Sequence, residues 1–373
     1  MLAYAQISKE QPKMAVFSPD RIIDADGHIF EDFGAIMNKV PASWGDTQVR
    51  KTPFPELDHI HHHLHVSPPG SFIDPGGAKG WGGFLDDVGV ERSILYPTRG
   101  LAFGRIMDLD WANGIAQAYN NWMYEAYSSQ DNRLHPVGLI PMQDPENAII
   151  EMRRVVTELG FSGVMLPSTG LKTHLGDKEY WPIYEEADRL GCALSLHGGA
   201  HSGLGLDTLN IFAGVHALGH PSGITIGFVS LLFNGIFDRF PNAKFGFLEG
   251  GVGWLLMARE RCGSSYRAFT AMDPMKRYFD LKKNEQVEDY ILRQIDEDRI
   301  FVGVEGDEPD LPYAVKVFGN KPFMFSTDFP HEVNAELCKH EVTEICENDE
   351  LSDDDKAAIM YLNAERFYGF SAS

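Results

Sequence analysis

Short apolar segments alternate with longer segments of helical periodicity along most of the chain. Apolar runs predict eight strands, at residues 21–26, 92–97, 136–141, 163–167, 193–199, 244–251, 299–305 and 323–328. Between them, apolar residues that recur every three to four positions predict helices, among them 109–127, 145–159, 181–190, a stretch at 206–240 broken around 221–223, and a last helix at 352–367. No Gly-x-Gly-x-x-Gly motif follows the first strand, which argues against a doubly wound dinucleotide-binding sheet. The alternation therefore predicts an α/β protein with a single (β/α)8 barrel.

The segment between the first two predicted strands departs from this rhythm. Residues 29–91 contain six prolines, a glycine cluster and five closely spaced histidines, which are His59, His61, His62, His63 and His65. A connection of this length is typical of a lid or binding loop, so we divide the chain into a leader, 1–20, and a barrel domain, 21–373, with 29–91 as a lid insertion. We interpret the histidine run as part of the pocket rim, because a metal site needs neighbouring groups that orient its imidazoles.

Composition narrows the class of protein. The 373 residues are 43% hydrophobic and 23% charged, which is typical of a globular domain, and the formal net charge is −22. A surface this acidic repels nucleic acid and anionic membranes, so we expect neither as a partner. No run approaches about 18 uninterrupted apolar residues, the N-terminus lacks the pattern of a signal peptide, and the four cysteines lie far apart. These features predict a cytoplasmic protein with reduced thiols.

Titratable residues stand at the carboxyl ends of several predicted strands. Asp24, Asp26 and His28 alternate along the first strand, so the period of two predicts that all three share one face. Later strands end in His197, Glu249, Asp328 and, for the seventh strand, Glu305. The carboxyl ends of barrel strands meet at one mouth, and two imidazoles with two carboxylates suit a divalent metal. The sequence therefore predicts a metal site at the mouth, for zinc, manganese or iron, with one or two ions.

Several motifs make the chain resemble a known family. They are Asp26-Gly27-His28, Leu196-His197-Gly198-Gly199, Phe240-Pro241-Asn242-Ala243-Lys244, Glu249-Gly250-Gly251, Ser326-Thr327-Asp328-Phe329-Pro330-His331 and Asn363-Ala364-Glu365-Arg366-Phe367-Tyr368-Gly369. Together they resemble the amidohydrolase superfamily, in the branch grouped with α-amino-β-carboxymuconate-ε-semialdehyde decarboxylase, over residues 22–370. The resemblance implies that Asp26, His28, His197 and Asp328 are the ligands of a mononuclear site. It also implies a homo-oligomer or a complex with a related subunit, for which Met257, Tyr266, Phe269 and Met272 offer apolar surface.

Two positions depart from the pattern of these decarboxylases. Asp26 stands where the branch usually has histidine or glutamate, and Glu249 stands where it has a histidine before Gly-Gly. Glu249 can act as a general base, or it can bind a second metal ion together with Glu31, His201 or His220. His216 and His220 are equally open to a structural role as helix caps, and His331 can orient a ligand of the metal.

These observations leave several functions open. The first expectation is a metal-dependent hydrolase that acts on a small organic substrate through a metal-activated water, with Asp328, Glu249 and His220 as catalytic residues and Glu249 also able to bind metal. The alternatives are a dinuclear iron or iron–manganese oxygenase on the same barrel, and a non-oxidative decarboxylase of an aromatic or unsaturated carboxylic acid. A partner subunit without catalytic activity fits less well, because the set of aspartates and histidines is intact.

Overall fold

Eight parallel strands form the centre of the molecule. The computed structural model describes residues 17–41, 52–57, 70–201, 203–273, 279 and 281–370. Its strands are β1 (Ile23–Ile29), β2 (Arg92–Pro97), β3 (Leu134–Leu139), β4 (Gly163–Pro167), β5 (Ala193–His197), β6 (Lys244–Phe247), β7 (Ile300–Val304) and β8 (Phe323–Phe325). Each strand pairs in parallel with the next, in the order β1 to β8, and helices connect them. The prediction of a (β/α)8 barrel is confirmed.

The α-helices follow the strands in the expected alternation. Their bounds are Phe33–Met37, Gly77–Val88, Leu109–Met123, Pro145–Thr157, Trp181–Leu190, Phe212–Phe233, Ile236–Arg239, Gly253–Phe269, Val287–Asp296, Leu311–Phe318, Ala335–Glu347, Asp353–Ala357 and Asn363–Tyr368. Local signals explain several ends. Asp108 and Ser352 accept backbone N–H groups as N-caps, and Gly191 ends its helix with a φ of +64°, which glycine adopts without strain.

The barrel closes between β1 and β8 through residues just beyond the short β8 strand. The backbone N–H of Asp328 donates to the carbonyl oxygen of Asp26 at 2.9 Å, and the backbone N–H of His28 donates to the carbonyl oxygen of Phe329 at 2.7 Å. We call this pair of segments, 24–28 and 326–329, the seam. It places two predicted metal ligands, Asp26 and Asp328, side by side.

A β-bulge in β1 changes which of its side chains share a face. Asp24 pairs with Ser93 and Gly27 pairs with Leu95, so β1 contains one residue more than β2 over this step. Asp24 therefore turns away from Asp26 and His28. Its carboxylate accepts hydrogen bonds from the Ser93 hydroxyl and from the backbone N–H groups of Thr327 and Asp26. The prediction that Asp24 shares the face of Asp26 and His28 is wrong, because the bulge interrupts the alternation.

The lid insertion predicted at 29–91 is not confirmed. The described part of this segment contains two helices, and the second, Gly77–Val88, is the helix that joins β1 to β2 in the barrel order. Its Trp81 is completely buried and would contact a Cβ atom placed on Gly27. Five histidines, at positions 59, 61, 62, 63 and 65, lie outside the described residues, so their assignment to the pocket rim stays a prediction.

One long helix, Phe212–Phe233, replaces the broken helical stretch predicted at this point. It continues through Pro221, so the predicted break is wrong. Buried residues on one side of the helix, Ile224, Phe228 and Leu231 among them, pack it onto the barrel, and this packing outweighs the backbone hydrogen bond that proline cannot donate. Among the described helices it is the one long and apolar enough to cross a membrane, and half of its most apolar window is buried inside the molecule.

Candidate metal centre

Four predicted ligands converge at the mouth of the barrel. The Nε2 atom of His28 lies 3.2 Å from Nε2 of His197, 3.3 Å from Oδ1 of Asp328 and 3.5 Å from Oδ1 of Asp26. His197 Nε2 lies 3.6 Å from Oδ2 of Asp26. All four residues are buried, with exposed fractions of 7% or less. The structure therefore brings together the side chains that the sequence assigned to one metal.

Hydrogen bonds on the far side of each imidazole orient the two histidines. His28 Nδ1 lies 2.8 Å from the carbonyl oxygen of Pro97, and His197 Nδ1 lies 2.9 Å from that of Gly198. A carbonyl oxygen only accepts, so these contacts place the proton on Nδ1 and leave Nε2 of both rings as the ligating atom. This arrangement, in which the second ring nitrogen donates to a fixed acceptor, is usual for histidines that bind metals.

The donor set fits a divalent cation. Asp26 Oδ1 is buried and has no hydrogen-bond partner within the described residues. Burial raises the pKa values of Asp26 and Asp328 to about 6, because neither carboxylate is solvated. Burial and the neighbouring His331 and His197 lower the pKa of His28 well below its ordinary value, which keeps the imidazole neutral. Burial opposes the charged form of His197, but Glu249 and Asp26 raise its pKa to about 9, so a cation that binds there replaces a proton. Two imidazoles and two poorly solvated carboxylates form a ligand set for zinc, manganese or iron.

Glu249 lies beside this centre, and three histidines surround its carboxylate. Its Oε2 atom is 2.8 Å from Nδ1 of His220 and 3.5 Å from Nδ1 of His197, and its Oε1 atom is 3.8 Å from Nδ1 of His331. Burial opposes ionisation, but His220 and His197 hold the pKa of Glu249 well below its ordinary value. Glu249 is therefore an ionised carboxylate that neighbouring imidazoles compensate.

The backbone at two site carboxylates adopts an unusual conformation. Glu249 has a φ of +57° and Asp328 a φ of +51°, both in the left-handed region that residues other than glycine rarely adopt. Such conformations cost free energy and are concentrated at functional sites. At both positions the turn immediately after a strand directs a carboxylate toward the histidines.

His331 has a larger place in the site than the sequence indicated. Its Nδ1 atom lies 2.9 Å from Oδ1 of Asp328, its Nε2 atom lies 2.9 Å from Oγ1 of Thr98, and its ring stacks on that of His28 with 4.0 Å between centroids. Together with His28, Glu249 and Asp328 it forms a second group of possible metal ligands, which overlaps the first. In the sequence, only the short spacing of three residues between Asp328 and His331 indicated that His331 lies near the metal site.

Other candidates from the sequence lie outside both groups of possible ligands. Glu31 accepts the backbone N–H groups of Arg99 and Gly100, at 3.1 and 2.7 Å, so it caps the short helical turn Arg99–Arg105 instead of binding a metal. Glu305 also stays apart, and burial together with Asp328 raises its pKa to about 9.

Two further histidines, one buried and one exposed, contact His220. The ring of the buried His201 contacts that of His220, with 4.9 Å between centroids. The side chain of His216 is 46% exposed, and its ring centroid lies 5.6 Å from that of His220. Neither His201 nor His216 belongs to a group of possible ligands in the described part of the chain.

Comparison with known proteins identifies the family of the chain. The sequence profile of the family described as amidohydrolase (Amidohydro_2) matches residues 60–370, a range that includes every candidate ligand except Asp26 and His28. The chain is 26% identical over 287 residues to the 2-amino-3-carboxymuconate-6-semialdehyde decarboxylase of Dictyostelium discoideum, covering 76% of this chain and 74% of that protein. It is 25% identical over 301 residues to the γ-resorcylate decarboxylase of Polaromonas sp. strain JS666, covering 76% and 85%.

A solved structure shares the fold. The 5-carboxyvanillate decarboxylase of Novosphingobium aromaticivorans, crystallised with manganese and 4-hydroxy-3-methoxy-5-nitrobenzoic acid, superposes with a TM-score of 0.70 at 20% sequence identity. The match covers 94% of this chain and 96% of that chain. At this sequence identity the structural similarity establishes the barrel fold only, and any argument about the reaction must come from the site residues.

Proposed function

The chain belongs to the amidohydrolase family, and from that premise we propose that it is a metal-dependent, non-oxidative decarboxylase of an aromatic or unsaturated carboxylic acid. The observation that carries the proposal is the convergence of Asp26, His28, His197 and Asp328 on one buried point at the barrel mouth. The two named relatives, each matched over three quarters of this chain, are decarboxylases, which favours this reaction over the hydrolysis expected first.

The proposed centre holds one divalent cation. Both groups of possible ligands include His28, whose Nδ1 is engaged by Pro97, so its single free nitrogen can serve one ion. A second ion would need Glu249, Asp328 and His331 without His28. Glu249 already has His220 and His331 as partners, so its charge is compensated without a second cation. Asp26, His28, His197 and Asp328 are therefore the proposed ligands.

When bound, a divalent cation supplies a Lewis-acid centre for anionic oxygens of the substrate. Decarboxylation breaks the bond between the carboxyl carbon and the adjacent carbon, and the electron pair stays on that adjacent carbon while carbon dioxide leaves. A proton must then be delivered to the carbon. We assign this role to His220, because its Nδ1 atom lies 2.8 Å from Oε2 of Glu249, a contact that orients the ring and leaves Nε2 to face the substrate.

Glu249 also supports a second candidate function, the addition of water in a hydrolytic reaction. An ionised, buried carboxylate beside the proposed metal site can act as a general base and take a proton from water. Under this alternative Glu249 is the general base and His220 positions it. The dinuclear oxygenase considered from the sequence would require a second ion in the group that contains Glu249 and His331.

The experiment that tests the proposal measures metal and product together. Protein purified without chelator is analysed for metal content, then incubated with hydroxylated benzoic acids and unsaturated dicarboxylic acids while carbon dioxide and oxygen are followed. One ion per chain with release of carbon dioxide in the absence of oxygen supports the decarboxylase. Product formation from esters or amides without carbon dioxide supports the hydrolase, and two iron-group ions with oxygen consumption support the oxygenase.

His220→Gln sharpens the assignment of the proton donor. Glutamine can hydrogen-bond to Glu249 but cannot supply a proton at neutral pH, so turnover should fall by about a hundredfold while metal content stays at the wild-type level. His216→Gln, one turn earlier on the same helix and exposed, is the matched control and should keep near-normal turnover. An active His220→Gln variant would remove His220 from the mechanism.

A further inference from the structure

Directly beneath the metal centre lies a chain of buried hydroxyl groups that the proposed reaction does not use. Tyr96 Oη lies 2.6 Å from Ser195 Oγ and 2.7 Å from Tyr368 Oη, and the Tyr368 hydroxyl donates to the carbonyl oxygen of Ala25 at 2.7 Å. Three hydroxyl protons serve three contacts, so every member of the chain is satisfied. All three side chains are buried within the barrel.

Three of the four members of this chain, Ala25, Ser195 and Tyr96, are adjacent to a proposed metal ligand. Ala25 directly precedes Asp26, and Ser195 stands two residues before His197 on β5, on the same face of the strand. Tyr96 is the register partner of His28 on β2. The hydroxyl groups thus join three strands below the ligands. They are β1 and β5, which supply Asp26, His28 and His197, and β2, which pairs with β1.

The ring of Tyr96 also contacts both proposed imidazole ligands. Its centroid lies 5.5 Å from that of His197 and 6.1 Å from that of His28, with tilted ring planes in both cases. The hydroxyl contacts at the far end of the ring limit its movement, because Tyr96 is completely buried and can shift only by breaking hydrogen bonds to other buried groups. The two imidazoles therefore lie against a fixed aromatic surface.

The last turn of the chain supplies one end of this arrangement. Tyr368 belongs to the helix Asn363–Tyr368, whose neighbouring residue Phe367 enters the barrel at β6. A Cβ atom on Gly246 would lie 2.6 Å from the ring of Phe367, so glycine at this position makes room for that ring. The C-terminal helix thereby closes the floor of the barrel and presents the Tyr368 hydroxyl from below.

We propose that Tyr96 and Tyr368 are positioning residues for the metal centre, and that the C-terminal helix contributes to metal affinity through the hydroxyl chain Ser195–Tyr96–Tyr368–Ala25. This inference rests on the metal centre proposed above and assigns it a supporting layer. The hydroxyl chain fixes the relative placement of Asp26, His28 and His197 before a cation binds, so that the ligands need little rearrangement. Groups that hydrogen-bond directly to metal ligands typically contribute a factor of about 10 to 100 in affinity, and we expect about tenfold for this chain, which acts one step further from the ligands.

Cobalt binding to full-length protein tests the proposal without reference to turnover. Tyr96→Phe and Tyr368→Phe each remove one hydroxyl, and Tyr184→Phe is the matched control, since Tyr184 is also completely buried and donates to a carbonyl oxygen, that of Leu175, at 2.6 Å. The dissociation constant is measured by competition with a chelator, and the visible spectrum of bound cobalt reports the ligand geometry. The melting temperature of each variant is recorded as a measure of folding.

We expect Tyr96→Phe and Tyr368→Phe to bind cobalt about tenfold more weakly or worse, with a changed spectrum, while Tyr184→Phe keeps the wild-type affinity and spectrum. Should Tyr368→Phe fail to fold, Ser195→Ala interrupts the same chain from its other end and should show the same two changes. Wild-type affinity and spectrum in Tyr96→Phe and in either second variant would overturn the positioning role. A wild-type protein that binds no cobalt would instead overturn the metal centre on which this inference depends.

Discussion

The two halves of the site are held in different ways. At the seam, backbone hydrogen bonds between 24–28 and 326–329 place Asp26, His28 and Asp328, and the side chain of Asp24 braces both segments. Across the mouth, Glu249 depends on a strained turn after β6 and on its contact with His220, which belongs to the long helix Phe212–Phe233. The seam half is determined by main-chain geometry, whereas the Glu249 half is determined by side chains and is easier to alter.

This difference suggests that the seam half binds the metal and that the Glu249 half determines the reaction. A half that the barrel closure itself holds together suits the binding of a metal, which tolerates little error in ligand position. A half that depends on one carboxylate and its histidine partners can change its chemistry by substitution without disturbing the fold. Glu249 is also the position where the chain leaves the decarboxylase pattern, so the two halves should respond differently to mutation.

The largest effect is expected when a proposed ligand is removed. Asp328→Ala takes a ligand from the seam and His197→Ala takes one from β5, and each should abolish stoichiometric metal and lower turnover by about a thousandfold or more, since the metal supplies several kcal/mol of transition-state stabilisation. Metal analysis and circular dichroism of both variants check this. His340→Ala, a change at an exposed helix position, is the control. Full metal occupancy in either ligand variant would refute the ligand assignment.

The next effect concerns the other half. Glu249→Gln keeps the size of the side chain and removes its charge, so we expect turnover to fall by about a hundredfold with metal content unchanged at one ion per chain. A fall from two ions to one would show that Glu249 binds a second metal. Glu249→His restores the residue of the decarboxylase pattern, and a rise in carbon dioxide release would show that this position sets the reaction class.

The sequence predicted the parts of the structure that have strong local signals. Strand 163–167 and helix 181–190 were placed correctly, because glycine and proline bound the first and Gly191 ends the second. The first strand was predicted to end at Asp26, but it continues to Ile29, because after the bulge it pairs with β2 as far as Pro97 and also shares hydrogen bonds with residues about 300 positions later in the chain. Such contacts leave no trace in local periodicity.

The same reasoning explains the outcome for the site. The strand pattern brought candidate residues to one mouth, because barrel strands deliver their carboxyl ends there, and the resemblance to the amidohydrolase superfamily selected four of them as ligands. The hydrogen-bond partners of Glu31 could not be predicted, because the backbone N–H groups of Arg99 and Gly100 belong to the turn after β2 and are far from Glu31 in the sequence. The bulge that turns Asp24 away is likewise a property of the pairing between β1 and β2.

A smaller effect should follow from loosening the brace of the seam. Asp24→Asn retains one acceptor for the N–H groups of Thr327 and Asp26 but weakens the charged hydrogen bonds, so the free energy of unfolding should fall by about 1–2 kcal/mol. Metal affinity should fall by less than about tenfold, because the backbone bonds between Asp328 and Asp26 and between His28 and Phe329 remain. Urea unfolding and a metal titration measure the two quantities. Complete loss of metal would mean that the side chain of Asp24, and not the backbone, holds the seam.

The smallest effect concerns the opposite end of β1, where an ion pair has a structural role and no part in the site. Arg21, just before β1, contacts Glu91, just before β2, with Nη2 at 2.8 Å from Oε1. The hydrogen bond from Arg21 lowers the pKa of Glu91 to about 2, from an ordinary value of 4.5. Because the folded pKa lies below the unfolded one, the stabilisation is present above about pH 4.5 and is lost as the pH falls toward 2.

Glu91 is partly exposed, so solvent screening should limit this contribution to about 1 kcal/mol at pH 7. We therefore expect Glu91→Gln to be less stable than the wild type by about that amount in urea unfolding at pH 7. The difference should be smaller at pH 3, which lies between the folded and unfolded pKa values of Glu91, because the unfolded wild-type chain is then largely protonated and only part of the stabilisation remains. Metal content and affinity at pH 7 should be unchanged, since the substitution lies at the end of β1 away from the seam. A change in metal affinity would show that the two ends of β1 are coupled, and that the metal half of the site depends on more of the strand than its closing hydrogen bonds.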